Sequence, residues 1–204
     1  MEFLGPYARG LAIGFAIAAA IGPIGLLCIR RTLVEGAAVG AVSGLGAATA
    51  DAFYASLAAF GLSAVADLLV EARRPLGIVG GCFLVGLAIH SLWTRPIAAA
   101  DRPPRTLLSA YATTVGLTIA NPATILAFAA AFVGLGLAGH DTAIAAVLVA
   151  GVFSGSATWW VILALGVATF RDRLGPNAQA RLAAGSSILI GLLGLAAVGA
   201  SLAA

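Results

Sequence analysis

Six apolar stretches fill nearly all of this chain, and they leave little choice of solvent. The cores run from Leu11 to Ile29, Ala37 to Leu62, Pro75 to Trp93, Leu107 to Leu137, Ala143 to Phe170 and Leu182 to Leu202. Each approaches or exceeds the roughly 20 apolar residues that cross a bilayer as a helix. With 61% hydrophobic and 9% charged residues, the 204-residue chain has too few polar groups to cover a water-soluble globule. Mean hydropathy is +1.07. The expected fold is an all-α integral membrane protein of six transmembrane helices in a single domain. The first stretch is longer than the roughly 7 to 15 residues of a signal-peptide core and has arginines on its far side, so it is expected to stay in the mature protein.

All eleven basic residues are arginine. Arg30 and Arg31 follow the first stretch, Arg95, Arg102 and Arg105 the third, and Arg171, Arg173 and Arg181 the fifth. Only Arg9, Arg73 and Arg74 fall on the other side. The positive-inside rule then puts the first three clusters in the cytoplasm and both termini outside, in a cell inner membrane. Spread over three loops, these arginines form no dense patch for nucleic acid. They read as topology anchors in loops.

The chain divides into two halves of three spans, residues 1–95 and 106–204, joined by the polar linker 96–105. An odd number of spans inverts the second half. Gly22-Pro23 interrupts the first span and Asn121-Pro122 the fourth, with the prolines 99 residues apart. "SGLGAATADAFY" can be laid on "AGVFSGSATWWV", which sets Asp51 over Thr158. Proline removes a helix N–H and clashes with the carbonyl four residues back. The freed backbone groups must then face protein or water rather than lipid. Such breaks at matching positions of two halves point to a secondary transporter's mid-membrane site, where half-helix N-termini meet an anionic group. Pro-broken helices 1 and 4 in two inverted three-helix repeats are therefore expected, with Gly22, Pro23, Gly25, Asn121 and Pro122 beside the substrate.

Asp51 is the one carboxylate deep within an expected span. An aspartate at the bilayer centre costs about 2.5–3.5 kcal/mol on insertion scales and marks a function by default. With no basic residue expected inside a span, Asp51 is a candidate for taking up and releasing a proton or for holding a substrate amino group. Gly36, Gly40, Gly44 and Ala48 form a small-residue stripe near it. Trp159 and Trp160, with Ser154, Ser156 and Thr158, are placed opposite, and Thr158 and Trp159 are taken as the site residues among them. His90 and Trp93 read as interfacial anchors. Cys28 and Cys82 form no CxxC pair and read as small apolar filler. No nucleophile triad, phosphate-binding loop or HExxH motif is present, so neither an enzyme nor a cofactor is expected, and no metal site.

Together, "AIGPIG" followed by "RRTLVEG", Asp51 within "TADAFYASLAAFGL", "ANPATILAF" and the serines ahead of "WW" resemble the LysE/RhtB amino-acid exporter family over nearly the whole chain. The resemblance implies an exporter of amino acids or related small zwitterionic solutes, exchanged for protons, and carries over Gly22, Pro23, Asp51, Asn121 and Pro122. Its lysine and arginine exporters tend to carry another aspartate shortly after Asn-Pro. Here Leu126, Ala127 and Phe128 stand there, which speaks against a dibasic substrate. The expected partners are a small-molecule substrate, protons and the lipid bilayer, with a homodimer left open. Two alternatives stay open: a divalent metal-cation exporter of the wider superfamily, and a transmembrane thiol-disulfide relay using Cys28 and Cys82.

Overall fold

The computed structural model describes residues 3–20, 22–60, 71–93, 106–121, 124–125, 127–128, 141–173 and 175–203. Seven helices are found among them. They are α1 (Leu4–Ala19), α2 (Pro23–Glu35), α3 (Ala37–Ala59), α4 (Arg73–Trp93), α5 (Leu107–Ile119), α6 (Thr142–Arg173) and α7 (Pro176–Ala203).

The first apolar stretch is longer than its core suggested and is broken. α1 ends at Ala19, Gly22 is extended (φ −128°, ψ −167°), and Pro23 opens α2, with a 75° bend between the two helices. Proline is well placed there, since the first helical position needs no N–H. Arg30 and Arg31, expected in a loop, instead lie inside α2, which continues to Glu35. The reason is the connection that follows. Gly36 alone, at φ +101°, ends α2 and begins α3, a conformation that favours glycine. The expectation that Arg30 and Arg31 lie in a loop is thereby corrected.

α5 begins at a capped end, where Thr106 Oγ1 accepts from Ser109 N at 3.2 Å. It stops at Ile119, just before Asn121-Pro122. Pro122 itself, the linker 96–105 and the rest of the fourth stretch from 129 lie outside the described residues. By length and composition, α6 and α7 each contain a clear membrane span, and α1 with α2 make a third as a bent pair.

Glycines set the helix spacing. Gly10 and Gly14 of α1 face Gly151 and Gly155 of α6, and a Cβ on any of the four would run into the opposing backbone, at Leu148 O, Val152 O, Tyr7 O and Leu11 O respectively. Gly81 and Gly194 make a similar reciprocal contact between α4 and α7. Gly44 admits the Trp160 side chain, and Gly46 admits the α5 backbone at Tyr111. Without a hydrophobic force between helices in lipid, close backbone approach is what holds them.

The distribution of polarity is the reverse of a soluble protein's. Arg31, Thr32, Ser43, Asp51, Thr114, Thr118, Ser156 and Ser187 are buried, whereas Val79, Ile162, Leu165, Leu192, Leu195 and Trp93 are exposed. Trp93, 84% exposed at the end of α4, suits a membrane boundary.

Candidate functional site

Asp51 sits in the middle of α3, only 3% exposed. Its Oδ2 accepts from Ser156 Oγ of α6 at 2.6 Å, and Ser156 Oγ in turn accepts from Trp160 Nε1 at 3.1 Å. The polarity of this relay is fixed by its far end. Indole can only donate, so the serine oxygen spends a lone pair on it and turns its own proton toward the carboxylate. Ser156 and Trp160 are four residues apart and so share one helix face.

Beside this relay lies the end of α5. Ile119 O, one of the terminal carbonyls left over when a helix stops, accepts from Tyr54 OH. Tyr54 stacks on Phe128 beyond the break, with ring centroids 5.9 Å apart. Asn121 opens a new helical turn. Its carbonyl accepts from Thr124 N and Ile125 N, and its Nδ2 donates to Thr124 Oγ1 at 3.0 Å. Thr118, three residues before Asn121, is 3% exposed, and its hydroxyl has no hydrogen-bond partner among the described residues. A buried hydroxyl without a partner is uncommon and calls for a water or ligand atom.

Gly22 and Pro23 form the start of α2, and Gly25 is buried in its first turn. The two residues selected on α6 fall elsewhere. Thr158 lies on the exposed face and donates to Ser154 O at 2.7 Å. Trp159 turns toward α1, its ring edge-on to Phe15 at 5.3 Å. At 100° per residue, positions two apart lie on different faces, so Ser156 takes the place expected for Thr158, and Trp160, one turn on from Ser156, takes that expected for Trp159. The i, i+4 pairing of Ser156 with Trp160 is the signal that separates them. Tyr54 carries a similar signal, being three residues after Asp51 and so on its side of α3.

Arg31 was not expected here at all. It is 1% exposed, and its guanidinium reaches two neighbouring helices. Nη1 donates to Ser43 Oγ and Thr114 Oγ1, both at 2.7 Å, and to Ala110 O at 3.0 Å. Nη2 donates to Thr113 Oγ1 at 2.8 Å. Each hydroxyl sends its own proton to a helix carbonyl, Ser43 to Val39, Thr114 to Ala110 and Thr113 to Ser109, and so offers the arginine a lone pair. Arg30 Nε donates to Ser187 Oγ of α7 at 2.9 Å. Ser43 lies eight residues before Asp51, about 12 Å along α3, so the arginine cluster occupies a different depth from the carboxylate. The two cysteines are free, Cys28 buried in α2 and Cys82 exposed on α4.

A lipid-facing helical bundle with a broken helix and a buried, serine-bonded carboxylate is the arrangement expected of a membrane transport protein. Residues 15–201 match the model of the LysE type translocator family, nearly the whole chain, and the protein belongs to that family. Its members are membrane exporters of small solutes. No curated protein and no solved structure matches the chain.

Proposed function

We propose that the protein is a proton-coupled secondary exporter of amino acids or related small zwitterionic solutes, built as six spans in two inverted three-helix repeats of the inner membrane. The observation that carries this reading is the Asp51–Ser156–Trp160 relay, a buried carboxylate in one half tied to a serine of the other. An acceptor-only carboxylate inside the bundle suits a substrate ammonium or a proton. The start of α2 at Gly22, Pro23 and Gly25 offers the positive end of a helix to a substrate carboxylate. The Thr118 hydroxyl, without a hydrogen-bond partner among the described residues, adds a polar contact at the end of α5.

The packing favours the repeat. α1 lies on α6 and α5 on α3, which is one pairing with the halves exchanged. α3 with α6 and α4 with α7 pair equivalent helices across the halves. A side chain on Gly36, at the α2–α3 connection, would come within 3.8 Å of Arg171 Nη1 at the end of α6, so arginines from both halves gather at one end. That end is taken as cytoplasmic.

The direct test is an accumulation assay in inside-out vesicles, energised by a pH gradient and offered a panel of labelled amino acids and divalent metals. Gradient-dependent uptake of one or more neutral amino acids is expected. Uptake of metal alone would turn the assignment to a cation exporter. A topology experiment checks the frame independently. Single cysteines placed at Gly36 and Arg102 should react with an impermeant thiol reagent only from the cytoplasmic side, and those at Leu4 and Ala203 only from outside. A C-terminus labelled from the cytoplasm would remove the six-span arrangement.

A further inference from the structure

We propose that Thr118, on the α3-facing side of α5, is the residue that receives the substrate's primary ammonium group, in a polar seam that has no counterpart between α1 and α6. This deepens the exporter reading and rests on it. The starting point is a residue-by-residue correspondence between the halves. A Cβ on Gly46 of α3 would meet Tyr111 O of α5, and one on Gly151 of α6 would meet Tyr7 O of α1. Tyr54 of α3 reaches Ile119 O of α5, and Trp159 of α6 meets Phe15 of α1. Tyr7 thus corresponds to Tyr111 and Phe15 to Ile119, while Gly46 and Tyr54 correspond to Gly151 and Trp159. The same register sets Asp51 on Ser156, the two residues that meet. On it, Gly10 falls on Thr114 and Gly14 on Thr118.

The two seams differ at those positions. Gly10 and Gly14 lay the backbone of α1 directly against Leu148 O and Val152 O of α6. At the equivalent places α5 carries threonines, so hydroxyl side chains stand where the other half has backbone contact. Thr114 Oγ1 accepts from Arg31 Nη1 at 2.7 Å. Thr118, one turn further and seven residues after Tyr111, lies on the same face, where Tyr111 OH donates to Thr49 Oγ1 of α3 at 2.8 Å. Helical serines and threonines can turn their proton back to the carbonyl four residues earlier. Of the other buried ones, Thr32, Ser43, Thr114 and Ser201 do so, Ser156 donates to Asp51, and Ser187 accepts from Arg30. Thr118 is the one buried serine or threonine among the described residues whose hydroxyl is bonded in none of these ways.

Its surroundings favour a cation. α3 and α5 run in the same direction along the seam, with Gly46 beside Tyr111 and Tyr54 beside Ile119, so Thr118 is level with the turn that carries Asp51. It also belongs to the last turn of α5, the negative end of the helix dipole. A carboxylate at the same depth and the carbonyls of a helix end repel an anion. A hydroxyl so placed offers its lone pairs to a charged N–H donor.

The test is thermal unfolding of the full-length protein in detergent, titrated with the neutral amino acids one at a time, the shift of the midpoint giving an affinity. Thr118→Val keeps the shape of the side chain and removes the hydroxyl. Without solute its midpoint should equal or exceed that of wild type, because an unsatisfied buried hydroxyl has gone. Its affinity for the amino acid that stabilises wild type should fall by about tenfold or more, as for a lost hydrogen bond to a charged group. Thr118→Ser, which restores the hydroxyl, should recover most of that affinity. Thr114→Val removes an acceptor of Arg31 and should instead lower the midpoint without solute, which separates a bonded threonine from one awaiting a ligand. The same amino acid trimethylated at nitrogen keeps the charge but has no N–H, and should not stabilise wild type. A lowered midpoint of Thr118→Val without solute would make the hydroxyl a packing group and overturn the proposal. Equal affinity in wild type and Thr118→Val, or equal stabilisation by the trimethylated solute, would remove the ammonium subsite and leave the exporter reading standing. Stabilisation of wild type by sodium chloride over choline chloride, lost in Thr118→Val, would give the place to an alkali-metal ion instead. If no amino acid stabilises wild type, the solute reading fails and the subsite fails with it.

Discussion

Asp51→Asn is expected to insert into the membrane normally and to abolish gradient-driven export, bringing solute accumulation in inside-out vesicles to that of vesicles lacking the protein. The substitution preserves size and most hydrogen bonding, and Ser156 still finds an oxygen at the same place. What it removes is the ability to bind and release a proton in the bundle interior. Any exchange of labelled for unlabelled solute that survives at equal pH on both sides should no longer depend on pH. Ser156→Ala tests the same relay from the other helix. It deprives the carboxylate of a donor at 2.6 Å, an interaction of the charged class worth about 1.5–3 kcal/mol, and should slow transport by about tenfold or more. Ser156→Thr, which keeps the hydroxyl, should recover most of it. Wild-type export with the wild-type pH profile in Asp51→Asn would make the aspartate a packing residue and end the proton-coupling proposal.

Gly155→Ala is expected to be among the most damaging single-carbon changes at the described residues. The new methyl would occupy the position of Leu11 O and crowd Phe15 N. Both are backbone atoms of α1, so no side-chain rotation relieves the clash, and α1 must move away from α6. Overpacking of this kind costs about 1–3 kcal/mol, occasionally more. It should appear as a clearly lowered midpoint of thermal unfolding in detergent and a reduced yield of monodisperse protein. Gly116→Ala and Gly199→Ala are the matched comparisons, because nothing lies within 4 Å of a Cβ at either place. Those two should equal or slightly exceed wild type, since alanine favours helix over glycine by about 0.8–1 kcal/mol. Equal stability of all three variants would show that α1 and α6 are farther apart in the membrane than the glycine contacts require.

Several features of this protein are written in its sequence because they depend on composition or on single residues. Lipid as solvent follows from apolar runs too long and too uncharged for anything else. The break before Pro23 follows from a missing N–H, and the singularity of Asp51 from the energy of a carboxylate in hydrocarbon. The resemblance to the LysE exporters also rests on local strings of residues and agrees with the family to which residues 15–201 belong.

What the sequence does not carry is which way each face turns. Thr158 and Ser156 are both small hydroxyl residues in one apolar helix, and only the packing of α6 on α3 decides that Ser156 meets Asp51 while Thr158 faces outward. Trp160 rather than Trp159 completes the relay for the same reason, as it fits the space left at Gly44. Arg31 is the plainest case. By sequence it is half of a charged pair after a span and reads as a loop anchor, because the sequence does not show which oxygens of other helices will stand around it. Its acceptors stand on two other helices, 12 and about 80 residues away in the chain. No window of sequence contains them, and only the assembled bundle brings their oxygens to one point and makes burial of the charge tolerable. Composition and proline chemistry thus determined the solvent and the breaks, whereas the meeting of helices distant in the chain decided which polar side chains are held inside.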